Sequence, residues 1–308
     1  MASDSFPPIS RLGPDDLWRC VALAVDRGWS PERAKWSLLL GCAEAFGVDA
    51  PDGDASGRLA GAVVLTRWGR DLASVGMMLV ATRYARRGLG RALMEHVLAE
   101  AGDATVTLFA TDMGRPLYEK LGFAPVRRSV SFLGTFRPRR VDPGVRPSRV
   151  GPDAGPSRVG TGVPAQVIRP AAEAALPSIL AVDQAAFGAD RGRVLARLPG
   201  FAEHLAVLET EQGISGYAAA WRNLPSSAII GPVVAPGAEA AKGLIANLAA
   251  RVGGTIRLDL DPDRPELPAW AHARGLEPVS RTTVMARGEL ADRGAPDRLF
   301  TPISVALA

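Results

Sequence analysis

The chain has 308 residues, 47% of them apolar, and a formal net charge of +4, so it can bury ordinary cores and is long enough for two domains. Its apolar runs, such as Leu38-Leu-Leu-Gly-Cys42, fall far short of the ~20 residues that span a bilayer, and the first residues carry no signal-peptide pattern, so no membrane partner is expected. Eight arginines against two aspartates between residues 127 and 158 give that stretch +6 and leave the rest at −2; the basicity therefore belongs to one segment, which argues against a DNA-binding face.

In chain order, 9–12 reads as a strand, and 15–27 and 31–45 as helices. The second helix opens with Ser30 as N-cap, Pro31 at the first position and Glu32 in the first turn. Cys20 and Cys42 fall in these helices with no metal-ligand partners nearby, which predicts buried thiols and a reducing cytoplasm. Segments 58–67 and 72–81 read as a hairpin across Trp68-Gly-Arg-Asp71. Helix 88–101, strand 105–110, helix 114–121 and strand 125–135 follow.

The run Met77-Met-Leu-Val80 leads into Ala85-Arg-Arg-Gly-Leu-Gly-Arg91 and then a helical pattern, the order strand, glycine loop, helix N-terminus. Gly88 and Gly90 remove side chains where backbone must approach a ligand, and the unpaired N–H groups of a first helical turn carry about +0.5 charge. With Arg86, Arg87 and Arg91 around it, this is an anion cradle. Downstream lies Gly114-Arg-Pro-Leu-Tyr-Glu-Lys-Leu-Gly-Phe123.

Spaced this way, the two segments resemble the GNAT superfamily of N-acyltransferases, whose loop Gln/Arg-x-x-Gly-x-Gly binds the pyrophosphate of an acyl-coenzyme A. The resemblance implies acetyl-CoA as acyl donor, held by Arg86, Arg87, Gly88, Leu89, Gly90 and Arg91. It also implies that Met78, Leu79 and Val80 line the pantetheine arm, with the Leu79 N–H facing the thioester carbonyl, and that Tyr118 protonates the leaving thiolate. Ala85 departs from the motif, which has Gln or Arg there. Candidate bases are Asp112, where the family often has a polar residue after the fifth strand, and Glu44, near the end of the second predicted helix. His96 lies on the helix face of Leu89 and Leu93 and reads as structural, while His204 and His272 belong to the second half. Three dispersed histidines and two cysteines have no ligand spacing, so no metal is expected.

The chain repeats itself. Gly61, Gly76, Gly88 and Gly122 are matched by Gly216, Gly231, Gly243 and Gly275 at offsets of 155, 155, 155 and 153. The second half reads as strand 167–169, helices 171–186 and 190–197, strands 204–210, 214–222 and 227–235, helix 237–252, strand 255–260, helix 265–274 and strand 278–286. Tyr118 then corresponds to Ala271, and Gly90 to Ile245, which predicts a degenerate second copy that binds no coenzyme A. Between the copies, Arg, Pro and Gly dominate and Pro147-Ser-Arg-Val-Gly151 recurs as Pro156-Ser-Arg-Val-Gly160, the composition of a linker.

The expected fold class is α/β (α+β), two GNAT-like mixed-sheet domains joined by this linker. The divisions are a catalytic domain at 1–135, a linker at 136–166, a degenerate domain at 167–290 and a tail at 291–308. The expected activity is acetyl transfer from acetyl-CoA to the amine of a small molecule in the cytoplasm, with Trp29, Trp36, Trp221 and Arg222 as candidate lining residues. The alternatives are a transferase taking its acyl group from an aminoacyl-tRNA or a carrier protein, and a non-catalytic acyl-CoA-binding module.

Overall fold

The computed structural model describes residues 6–51, 57–138, 157–159, 166–290 and 293–307. The first copy consists of β1 (Ser10–Leu12), α1 (Leu17–Asp26), α2 (Arg33–Cys42), β2 (Glu44–Asp49), β3 (Leu59–Trp68), β4 (Leu72–Val80), α3 (Leu89–Ala101), β5 (Thr105–Ala110), α4 (Arg115–Lys120) and β6 (Ala124–Thr135). The second consists of β7 (Ser157–Val159), β8 (Gln166–Pro170), α5 (Leu176–Phe187), α6 (Gly192–Leu195), α7 (Leu198–Phe201), β9 (His204–Thr210), β10 (Gly213–Leu224), β11 (Ser227–Val234), α8 (Ala238–Val252), β12 (Thr255–Leu260), α9 (Glu266–Ala273), β13 (Glu277–Arg287) and β14 (Leu299–Thr301).

Three local expectations need correction. The helix expected at 31–45 starts at Arg33, with Glu32 rather than Ser30 at its cap, and stops at Cys42 because Ala43 is extended. Glu44 therefore opens β2, which pairs with both β1 and β3. A six-residue run such as Glu44-Ala-Phe-Gly-Val-Asp49 is too short for its period to separate a helix end from a strand; the neighbouring strands decide it. Within the 136–166 linker, Ser157–Val159 pairs with β8 as a strand, while residues 139–156 and 160–165 lie outside the described residues. The basic stretch is not all linker either, since Arg127 and Arg128 belong to β6.

Both copies share one mixed sheet, in the order β1-β2-β3-β4-β5-β13-β6-β12-β11-β10-β9-β8-β7. The final strands are exchanged. β13, from the second copy, pairs with β5 of the first, and β6, from the first, pairs with β12 of the second. The exchanged strands pair with each other at the centre.

The sheet carries α3 against β3 and β4 on one face: a Cβ at Gly61 would stand 2.8 Å from Leu93 and 3.2 Å from Leu89. On the opposite face the copies pack together. The Trp68 ring meets Phe187 edge-on at 6.0 Å, and Arg197 of the second copy donates to the Gly41 carbonyl of the first at 2.8 Å. The segment after β14 lies in this shared core, with Ile303 and Leu307 almost fully buried. Trp221 Nε1 donates to the Ile303 carbonyl at 3.3 Å.

Candidate active site

The site is built where β4 leaves β5. The two strands pair in parallel only over Leu72–Val75 and Thr105–Leu108. Beyond that point they part, and among the described residues no strand pairs with Met77–Val80 on that side. The β3–β4 register slips between Ala62 and Val64, opposite Met77, which takes a left-handed φ of 51°. This bulge turns the free edge of β4 toward the gap.

The loop that follows supplies the charge. Arg86 (φ 62°) and Gly88 (φ 85°) are left-handed, a backbone pattern that gathers N–H groups into an anion-binding concavity. The helix begins with Ala92 N–H bonding the Gly88 carbonyl at 3.1 Å, so the N–H groups of Leu89, Gly90 and Arg91 have no partner within α3. A Cβ at Gly90 would stand 3.1 Å from Met78 Cε and 3.6 Å from both Leu117 and Val80. Its absence keeps open the groove between α3, β4 and α4. Arg86 and Arg87 are exposed at the rim, and Arg91 bonds Glu95 at 2.7 Å on the helix surface.

Tyr118 is buried on α4, with its ring edge-on to Phe123 at 6.0 Å. Its hydroxyl has no hydrogen-bond partner among the described residues, and burial pushes its pKa up to about 12. Asp112 is exposed in the turn between β5 and α4. Glu44 is engaged elsewhere, accepting a 2.7 Å hydrogen bond from Arg67. His96 stacks edge-on with Phe46 at 4.6 Å, a packing position. Of the residues expected to line an acceptor pocket, Trp36 and Trp221 are core, Arg222 chelates Glu203 at 2.7 and 3.3 Å, and only Trp29 is exposed. No group of three metal-ligating side chains occurs among the described residues.

The second copy differs at each of these points. β11 pairs with β12 over Ser227–Ile229 and then, where the gap should open, pairs with β14 through Val233 and Val234. Ala235 N–H continues the contact to the Arg298 carbonyl at 3.0 Å. The chain's own tail thus lies along the edge that is free in β4. The loop from β11 to α8 is residues 235–237, against 81–88 in the first copy, and the first turn of α8 holds Glu239 instead of arginines.

This shorter loop corrects the expected alignment. Gly88 and Gly237 are the two helix N-caps, 149 residues apart, so Gly243 lies inside α8 and Ile245 is a buried core residue rather than the counterpart of Gly90. The Tyr118 and Ala271 pairing does hold. Phe123 N–H bonds the Tyr118 carbonyl at 3.0 Å and Leu276 N–H the Ala271 carbonyl at 3.1 Å, each just after a left-handed glycine, Gly122 and Gly275. The α9 position therefore has a methyl where α4 has a phenol.

Two families, each described as an acetyltransferase (GNAT) domain, match residues 53–135 and 179–301, together well over half of the chain. The chain belongs to the GNAT acetyltransferases, with two such domains in tandem. This GNAT protein is 28% identical over 272 residues to YitH of Bacillus subtilis, named an uncharacterized N-acetyltransferase, with 86% of each chain covered. Among solved structures, one from Pyrococcus horikoshii classed as an acetyltransferase superposes with a TM-score of 0.75 at 19% identity, over 100% of this chain and 98% of that one. A tandem GNAT protein from the clavulanic acid biosynthesis pathway gives 0.58 at 19% identity, over 92% and 99%. No helix among the described residues is long and apolar enough to cross a membrane.

Two further features leave no signal in the sequence. One is β14, whose three residues Leu299–Thr301 are too few for any period. The other is a buried cluster in which Arg191 chelates Asp183 at 3.0 and 2.5 Å and Tyr217 donates to the same carboxylate at 2.5 Å. Asp183, Arg191 and Tyr217 are scattered in sequence and only folding brings them together.

Proposed function

We propose that the first GNAT copy transfers the acetyl group of acetyl-CoA directly to the amine of a small molecule in the cytoplasm, and that the second copy takes no acyl donor. The observation that carries this reading is the contrast between the two strand gaps: open beside Met77–Val80, filled by β14 beside Val233 and Val234.

The residues of the open gap fit the donor. Arg86, Arg87 and Arg91 with the N–H groups of Leu89 and Gly90 offer a cationic cradle to a pyrophosphate. The free edge of Met78, Leu79 and Val80 offers strand-like hydrogen bonds to the amides of a pantetheine arm, and the Leu79 N–H would polarise the thioester carbonyl. When bound, acetyl-CoA supplies the activated acyl group; the chain's own task is to position it and to manage two protons.

Tyr118 manages the first. Held near 12, its phenol is protonated at any physiological pH. Full transfer to a thiolate of pKa ~8.5 would be uphill, so the phenol donates a hydrogen bond to the sulfur as charge develops there, and the released thiolate takes its proton from solvent. The second proton belongs to the acceptor. An alkylamine of pKa ~10.4 is neutral at pH 7 in roughly one molecule in 2,500, about 4.6 kcal/mol of the barrier; Asp112, exposed after β5, is assigned that proton through solvent.

Both cysteines are free and buried, and desolvation raises their pKa, for Cys20 to about 12. Such thiols are inert. Calorimetric titration with acetyl-CoA tests the assignment: one site per chain is expected, abolished in Gly90→Ile at unchanged melting temperature. Two sites of equal affinity would overturn it.

A further inference from the structure

A cavity of about 320 Å³ lies on the sheet face opposite α3, beneath the tail segment 296–302. Its floor crosses the exchanged strands: Phe109 of β5 pairs with Val284 of β13, and Val284 with Arg127 of β6, so the three side chains stand side by side. Leu108 is the last β5 residue to pair with β4. Phe109 therefore sits at the point where the strands part, and the cavity starts at the mouth of the open gap.

Most charges lining this cavity are satisfied internally. Arg191 is chelated by Asp183. Arg264 donates to the carbonyls of Pro296, Asp297 and Leu299 at 3.3, 2.7 and 2.9 Å, tying down the tail. Arg128 bonds Asp263 at 2.5 Å, and Asp259 accepts from Ser131 and Arg257 at 2.6 and 2.9 Å. Arg127 is the exception: among the described residues no carboxylate or carbonyl reaches its guanidinium. Arg127 is itself exposed, so its guanidinium is reachable from solvent.

An accessible guanidinium that lines a cavity and spends none of its donors on the protein is available to an anion entering that cavity. The carboxylates of Asp259, Asp261 and Asp297 in the same lining repel a dianion such as a phosphate monoester about twice as strongly as a single carboxylate, which favours the smaller charge. Neighbouring strands are ~4.8 Å apart, so Arg127 on β6 lies two strands, roughly 10 Å, from β5. An extended arginine side chain covers part of that span, and a small molecule can cover the rest.

We infer that the acceptor is an amine that also bears a carboxylate, held by Arg127 in this cavity with its amine at the strand gap beside Phe109. The inference rests on the acetyltransferase reading for the identity of the amine, and on the cavity alone for the carboxylate. It adds a specificity determinant contributed by a strand exchanged between the two copies.

The test uses the full chain and a matched series: glycine, β-alanine, 4-aminobutyrate and 6-aminohexanoate, each against the alkylamine of the same length. Binding is read by ligand-observed NMR with coenzyme A present and absent, and turnover with acetyl-CoA is read separately. At least one amino acid should bind ten-fold or more tightly than its matched alkylamine. Arg127→Gln should remove that preference without changing alkylamine binding or melting temperature, and Arg127→Lys should retain part of it. Equal binding of both series, binding of neither, or a preference that survives Arg127→Gln at an unchanged melting temperature overturns the inference. Carboxylate-dependent binding without turnover would leave the inference standing and count against the acetyltransferase reading. Equal turnover of both series would do the reverse.

Discussion

Gly76 on β4 faces the tail so closely that a methyl group there should report on the tail's position. An added Cβ would stand 2.3 Å from the Ala306 carbonyl oxygen, 2.9 Å from its carbon and 3.0 Å from its Cα. The first distance is more than an ångström inside the ~3.5 Å at which heavy atoms attract. All three atoms are backbone, so no rotamer change relieves the overlap. Overpacking of this kind costs typically 1–3 kcal/mol. In a chain truncated after Ser304 the clashing atoms are gone, and Ala in a strand should be neutral or better than Gly by roughly 0.5 kcal/mol. Truncation itself removes the fully buried Leu307 and should cost about 2–5 kcal/mol. The double-mutant cycle therefore predicts a coupling of about 1–3 kcal/mol between Gly76→Ala and the truncation. Urea unfolding followed by circular dichroism measures it, at constant m-value. If Gly76→Ala costs the same in both backgrounds, the tail does not lie over β4 and the account of the shared core is wrong.

Tyr118→Phe should lower kcat by about 100-fold or more while acetyl-CoA affinity changes less than two-fold, measured by steady-state kinetics and calorimetry, because a lost donor acts in the transition state. Since burial holds the phenol near 12, the donor stays protonated and kcat should show no fall as pH rises to 10; a decline with midpoint near 10 would mean that Tyr118 is solvated. Replacing Arg137, Arg139, Arg140, Arg146, Arg149 and Arg158 by serine should leave kcat/KM for acetyl-CoA within a few-fold, since charges outside the cradle are screened over ~8 Å at physiological salt. A large loss would place the linker against the active site.

The strands and helices themselves were largely legible, because each carries its own period. Thr105–Ala110 was read with the same bounds because apolar side chains alternate between flanking turn residues, and α3 because its cap is a glycine after a basic loop. The second loop misled because a glycine, Gly243, happened to stand at the offset set by Gly76 and Gly231. A shorter connection had shifted the true counterpart to Gly237. The exchange of β6 and β13 was invisible, since the side chains of Ala124–Thr135 suit either neighbour and only the connection geometry chooses between them. Gly76 and Gly231 were visible as anchors, but not their reason, which is the backbone of Ala306 and Pro302 pressed against them. Arg127 was counted with the linker's charge; the register of β6 against β13 moves it to the cavity floor.

The exchanged strands also impose an order on synthesis. When the ribosome has made Thr135, every residue of the first copy exists, yet the partner of β5 does not, because it is residues 277–287 of the same chain. At about 5–20 residues per second, the intervening stretch takes on the order of ten to thirty seconds to emerge. Throughout that interval β5 lacks its final partner, and its edge is open to other extended segments, β6 of the same chain included. The second copy has no such wait, since β6 is already present when β12 appears. A nascent chain stalled between the copies is thus predicted to be the sticky species, and a holdase that recognises exposed strand edges would find its substrate there rather than in the finished enzyme.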